Sequence, residues 1–266
     1  MNKKIEKYKR KKAYIINSDE PINGIKVRRF FHPLLMLLLK IKSLFCGLTY
    51  DIMGGNAEVY KEETVIYAIS HIGKCDYEMV SEALKFFAYP FAGDWELMYG
   101  TVDDYFLRAN GVLYIDTNDK ADRQNSFKYM CKLLKQGTSM VIFPEGIWNL
   151  SPSLPMLKLY PGCVQAAKES AVPIVPIAVE QFGMHFVVNV GKKFCVDSID
   201  EKVAVDELRN MLATLKWQIW ETQPVTKRSD VPSDYYEKFT KKRLSEFKGY
   251  TMEIINQRTF KDKRDK

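Results

Sequence analysis

The chain is poor in histidine, has no paired cysteines and lacks a long apolar run, and each shortage excludes something. Only three of its 266 residues are histidines, His32, His71 and His185, so imidazole chemistry has few places to sit. Its five cysteines, Cys46, Cys75, Cys131, Cys163 and Cys195, are odd in number and contain no CxxC pair. That pattern argues against a disulfide framework or a zinc site and for a reducing compartment; no metal is expected. There is no G-x-S-x-G elbow of the kind serine hydrolases carry. The apolar run Leu34–Leu39 is far below the ~20 residues that cross a bilayer, and the N-terminus is too polar for a signal peptide. With no zinc-finger spacing, RNA-binding aromatic signature or helix-turn-helix pattern, no nucleic-acid partner is expected.

What is present belongs to a globular protein. Hydrophobic residues make up 46% and charged residues 27%, and the length suits one large domain or a core with appendages. The net charge is +7, with the excess at the two ends, MNKKIEKYKRKK and FKDKRDK. Such blocks are expected to be solvated, mobile tails, and they suit anionic lipid headgroups, at about 1 kcal/mol per basic residue near the surface. Phe30-Phe31-His32-Pro33 leads into LLMLLLKIKSLFCGL. This stretch fits an amphipathic helix in a membrane interface with Lys40 and Lys42 snorkelling, or a core-packing helix of a soluble protein.

From residue 64 strands and helices alternate. Apolar runs at 64–70, 112–116, 139–144, 174–180 and 186–191 read as strands. Helical periodicity covers 76–87, 102–109, 122–136 and 162–170, and from 199 onward the pattern is helical and charged, with a basic tail helix after Pro232. The expected architecture is α/β: a mixed, largely parallel sheet flanked by helices, with an N-terminal amphipathic membrane-contacting helix and a C-terminal helical extension. The segments are 1–56, 57–198 and 199–266.

Ligands of open α/β sheets gather at the carboxyl ends of strands, which singles out Ser70-His71-Ile72-Gly73-Lys74-Cys75-Asp76, Gly111-VLYIDTND and Phe143-Pro144-Glu145-Gly146. On an ideal helix His71 and Asp76 would point about 140° apart. They meet only if His71 lies in the loop and Asp76 opens the helix, with Gly73 in the turn. Asp76 then takes one ring nitrogen and leaves the other free as a base; in the plainer alternative, Asp76 only caps a helix.

Taken in order, SHIGKCD, GVLYID, FPEG and VPIVPIAV resemble the phospholipid/glycerol acyltransferase family. The resemblance implies His71 as general base and Asp76 as its orienting partner. It also implies Gly111 as the mark of the second motif, Glu145 and Gly146 in an acceptor-binding loop, and Val172–Pro176 as the fourth motif. The implied reaction is attack of a lipid hydroxyl on the thioester of acyl-CoA or acyl carrier protein, with no acyl-enzyme, metal or tightly held cofactor. The default acceptor is lysophosphatidate, and the implied setting is cytoplasmic, peripheral on the inner face of the cell membrane and in contact with its anionic lipids.

Several family positions differ here. Ser70 stands for Asn, Thr117 stands where an arginine is usual, Ile147-Trp148 replaces a usual Thr-Arg, Ala92-Gly93-Asp94 lacks the common lysine, and Tyr160 replaces another. Those basic residues are thought to hold the acceptor's phosphate. Lys74, Arg108, Arg123 and Lys158 are candidate substitutes, and Trp148 offers a flat apolar surface for a sugar or lipid chain. The departures leave room for a glycolipid or other lysolipid acceptor, or for a membrane-binding member that has lost catalysis. A hydrolase using Ser70 or Cys75 is the remaining rival.

Overall fold

Strand-forming runs dominate the middle of the chain because apolar, β-branched residues recur there without helical spacing. The structure, a computed structural model, describes residues 3–260 apart from 55–59, 61, 94, 99, 152 and 248 and the side chain of residue 96. Gly55 and Asn56 of a turn that Gly54-Gly55-Asn56 suggests in the sequence, Asp94, and residues 261–266 of the expected basic tail therefore lie outside the described residues.

In chain order the elements are α1 (Lys3–Asn17), α2 (Ile25–Cys46), β1 (Thr49–Met53), β2 (Ile66–Ile69), α3 (Asp76–Leu84), β3 (Tyr89–Ala92), α4 (Trp95–Met98), α5 (Val102–Asn110), β4 (Leu113–Tyr114), α6 (Lys120–Lys135), β5 (Met140–Ile142), α7 (Gly162–Ser170), β6 (Ile174–Phe182), β7 (His185–Val190), α8 (Glu201–Glu221), a 3-10 turn (Arg228–Asp230), α9 (Tyr235–Ser245) and α10 (Met252–Arg258). The seven strands form one mixed sheet in the order β1-β7-β6-β2-β5-β3-β4, parallel at every pairing except the β6–β7 hairpin. The expected α/β architecture is thus present. Side chains of β2 alternate between faces, as strand geometry requires. Ile66 and Ala68 pack with Leu133, Val164 and Leu208 beneath α6, α7 and α8, whereas Tyr67 and Ile69 pack with Met79, Val80 and Leu107 beneath α3 and α5.

Two strands were not legible in the sequence. β3 carries Pro90, which cannot donate to a ladder and argues against a central strand, yet Pro90 pairs with Val141 inside the sheet. The helix expected to run to about residue 87 ends at Leu84 because Lys85 turns into the left-handed region, φ 52°. β1, within the segment read as 1–56, joins the sheet edge by pairing with β7.

The basic N-terminus is not a solvated tail. It forms α1, whose Ile5, Tyr8, Lys12 and Ile15 recur at helical spacing on one face. Ile5 packs in one cluster with Trp95 and Tyr114, and Ile15 lies against the main core. Lys12 is buried and donates to Asp122 (2.8 Å), Ser126 (2.7 Å) and the Tyr114 carbonyl (2.9 Å). Lys9 bonds Asp116 (2.6 Å) and Asp119 (3.1 Å). Counting lysines as solvated charge misses this, because an acid 110 residues away supplies the partner.

In α2 the apolar residues Val27, Phe30, Phe31, Leu34, Leu37, Leu38, Ile41, Leu44 and Phe45 follow a period near 3.6 and are all exposed, Phe45 by 89%. His32, Leu39 and Ser43 on the opposite side are buried. Among the described residues no helix is long and apolar enough to cross a membrane. Lys42 does not snorkel: its ammonium bonds both carboxylate oxygens of Glu78 (2.9 and 2.6 Å).

Candidate active site

The site begins where β2 ends. All four residues of β2 are buried, and Ser70 continues the ladder, its N–H donating to the Ile177 carbonyl at 3.0 Å. Its hydroxyl is engaged across the sheet as well, accepting from Val179 N (2.9 Å) and donating to Val179 O (3.3 Å) in a fully buried position. Ser70 therefore has no route to an acyl group. The other rival nucleophile fares no better, since burial, followed by the nearby Glu78, pushes the Cys75 thiol up to about 11. A neutral thiol is a poor nucleophile. In a short iodoacetamide exposure at pH 8, followed by peptide mass spectrometry, the exposed Cys46 and Cys195 are expected to label first. Cys75 should lag by about tenfold or more, given its small thiolate fraction, and prompt labelling would reverse this reading of its environment.

His71 leaves the sheet and enters a tight turn through Ile72 and Gly73, after which Asp76 opens α3. One carboxylate oxygen of Asp76, Oδ2, gathers the turn by accepting from Ile72 N (2.6 Å), Gly73 N (3.0 Å) and His71 Nδ1 (2.8 Å). Asp76 is 1% exposed, while the His71 side chain keeps 20%. The two residues meet by the geometry the spacing demanded, one in the loop and the other on the first turn of the helix. Because the carboxylate accepts from Nδ1, the proton sits there and Nε2 carries the lone pair.

The imidazole is fixed from further directions. Its ring stacks on Phe143 (centroids 4.1 Å, 25° between planes) and meets the edge of Trp148 at 6.2 Å. The His71 backbone N–H donates to Glu145 Oε2 (2.9 Å), and its carbonyl accepts from Asn149 N (2.7 Å). Glu145 is fully buried, and its other oxygen accepts from Leu157 N (2.8 Å). Its acidity is weakened mainly by burial, against which Lys216 and these backbone donors act. The FPEG carboxylate thus faces inward and splints two loops, a correction to the expected place in an acceptor-binding surface. Glu145 is a positioning residue for His71.

In front of the imidazole lies a groove of about 1120 Å³, lined by His71, Gly146 and Trp148 together with apolar side chains such as Phe91, Phe106 and Met130. Its size exceeds the ~300–1,000 Å³ of ordinary small-molecule pockets. Gly146 adopts φ +71°, and a Cβ there would lie 2.6 Å from the Tyr160 ring, so this turn demands glycine.

The other expected site residues fall elsewhere. Gly111 does not line the groove; at φ +97° it makes room for the Tyr89 ring, which would stand 2.3 Å from any Cβ at this position, and its role is packing. Arg108 is held by the buried Asp104 (2.8 Å) and lies over the Tyr105 ring. Lys158 is half-buried and outside the groove wall. Trp148 does line the groove, but only 3% of it is exposed, and it packs edge-on against Phe247 (6.1 Å) and Tyr250 (4.8 Å). It is chiefly the anchor of the C-terminal extension. Lys74 and Arg123 reach the wall, Lys74 paired with Asp103 at 2.9 Å.

Sequence reasoning missed the roof. Phe247, Tyr250, Gln257 and Arg258 of the C-terminal extension line the groove, and Tyr160 donates to the Arg258 carbonyl (2.9 Å). No local signal announces this, since the contact joins residues 98 apart.

Known proteins resemble this chain in sequence over one stretch and in fold. The family model described as Acyltransferase matches residues 53–180. An uncharacterized acyltransferase of Schizosaccharomyces pombe is 30% identical over 91 residues, 34% of this chain and 33% of that protein. The aligned chain thus spans about a third of that relative's length. The crystal structure of the 1-acyl-sn-glycerophosphate (LPA) acyltransferase PlsC from Thermotoga maritima has a similar fold. The superposition has a TM-score of 0.61 at 13% identity and covers 83% of this chain and 90% of that one. His71, Asp76 and Glu145 all fall inside residues 53–180, the stretch of this chain that is similar to the acyltransferase family.

Proposed function

We propose that the protein is an O-acyltransferase that moves a fatty acyl group from a thioester, acyl-CoA or acyl carrier protein, to a hydroxyl of a lysophospholipid or glycerolipid acceptor. The observation that carries this reading is His71 Nδ1 bound to the buried Asp76 beside a large apolar groove. A base held in one tautomer accepts the acceptor's hydroxyl proton at Nε2 as the oxygen attacks the thioester carbonyl. The proton then returns to the departing thiolate, so no acyl-enzyme forms and no metal is needed. Incubation with labelled acyl-CoA and a panel of lysolipids tests this. Formation of a diacyl product is expected, and absence of transfer from either donor type to any lysolipid would sink it.

The reading includes a peripheral place on an anionic membrane surface. Its support is the exposed apolar stripe of α2, flanked by the exposed Lys26 and Lys40. Burying one phenylalanine in lipid contributes roughly 1.5–3 kcal/mol, and a nearby lysine adds about 1 kcal/mol on anionic lipid. The double variant Phe30→Glu/Phe45→Glu should therefore float with anionic vesicles at least about tenfold less than the parent. Equal flotation of the two proteins would remove α2 from the membrane contact.

A further inference from the structure

The groove differs in character from end to end. It crosses the carboxyl ends of β5, β3 and β4, so part of its wall belongs to each face of the sheet. Tyr77 and Leu107 stand on the α3–α5 face, and Phe127, Met130 and Cys163 on the α6–α7 face. Among the described residues its lining acids are Glu78 and Asp103. Both lie on the α3–α5 side, matched by Lys42 (2.6 Å) and Lys74 (2.9 Å).

The opposite end carries Arg123 and Lys128 from α6 and Arg258 from α10, with no lining acid on that side among the described residues. Arg123 is oriented by a bond from Nη1 to the Thr117 carbonyl (2.6 Å), beside one of the positions where an arginine is absent. α7 also begins in this wall at Gly162, with no side-chain cap and no acid in its first turn. Its amide end adds partial positive charge to that of the three side chains. The basic residues missing at Thr117, Trp148 and Tyr160 thus have counterparts on other elements, one of them in the C-terminal extension.

We propose that Arg123, Lys128 and Arg258 form a phosphate-binding subsite at the α6–α7–α10 end of the groove. It holds a phosphate monoester or pyrophosphate of a bound substrate, while the apolar part of that substrate lies toward α3, α5 and the exposed face of α2. The inference rests on the acyltransferase reading of His71 for what the substrate is, but not for the charge that recognises it.

Binding separates the two. Calorimetry on the full chain compares lysophosphatidate with the monoacylglycerol of the same chain, each below its micellar concentration, and coenzyme A with pantetheine. The phosphate-bearing member of at least one pair should bind at least about tenfold more tightly, the order of one charge-assisted hydrogen bond. Preference in the first pair assigns the subsite to the acceptor, and preference in the second to the donor. Arg258→Gln, Arg123→Gln and Lys128→Gln should each erode that preference, whereas His71→Ala should leave it intact. Lys128 is exposed, so its variant reports on charge even where the arginine variants alter the roof. No preference in either pair, or a preference unchanged in the triple variant, overturns the subsite. A parent that shows the preference yet transfers no acyl group keeps the subsite and overturns the acyltransferase reading instead.

Discussion

Replacing His71 with alanine is expected to lower acyl transfer by on the order of a thousandfold, the middle of the range for losing a positioned general base. The fold should survive, because the ring keeps 20% exposure and the buried bonds of residue 71 run through its backbone to Glu145 and Asn149. Asp76→Asn should cost nearly as much activity by a different route. An amide oxygen in the place of Oδ2 still accepts from Ile72 N, Gly73 N and Nδ1, but it carries no charge to stabilise the imidazolium that forms as the hydroxyl is deprotonated. Asp76→Ala adds a stability loss of about 3 kcal/mol, since Ile72 N and Gly73 N lose their acceptor in a buried turn. Turnover with saturating donor, with circular dichroism as a check on folding, decides the matter. If His71→Ala keeps more than about a tenth of the parental rate, well under the usual loss, the imidazole is not the base.

The second large effect is expected behind the groove wall, at Lys12 and Asp122. Lys12→Ala should cost about 3–5 kcal/mol, the range for removing one partner of a buried ion pair, and lower the melting temperature by about 10 °C in a chain of this size. The size follows from what remains behind. Asp122 is buried, and its carboxylate also accepts from the backbone N–H of Asp116 (2.9 Å). Asp116 leads directly into Thr117 and Asn118 of the groove wall, so catalysis should fall together with stability. Lys12→Met paired with Asp122→Asn should recover most of the loss, since an amide needs no counterion and still accepts from Asp116. Should Lys12→Ala melt like the parent, α1 is not docked as described. A double variant no better than the single one would instead show that packing of α1, and not the stranded charge, carries the cost.

The site is legible in the sequence where its geometry is local. Five residues separate His71 from Asp76, and a strand end followed by a helix start is the arrangement that lets them touch; both elements are visible in the periodicity around them. Alternation along a strand turns the side chains of Ser70 and His71 to opposite faces, and the Ser70 hydroxyl is bonded to Val179. Roles that depend on what lies across from a residue are not legible in this way. The family resemblance offers Glu145 and, as a substitute for a missing arginine, Arg108 as substrate contacts, but one splints two backbones and the other answers a buried acid four positions earlier. It offers Trp148 to a ligand, and that ring is mostly covered by Tyr250 and Phe247.

By itself, the order of apolar runs and turns determined the α/β class and marked the strand end at which His71 and Asp76 could meet, because each depends on periods of two to four residues or on a single turn. Only the folded chain decided that the basic N-terminus is a docked helix, that Pro90 sits inside the sheet, and that the last helices roof the groove with Arg258. Those outcomes depend on burial, and burial is set by partners about 50 to 110 residues away, whose identity no local pattern encodes.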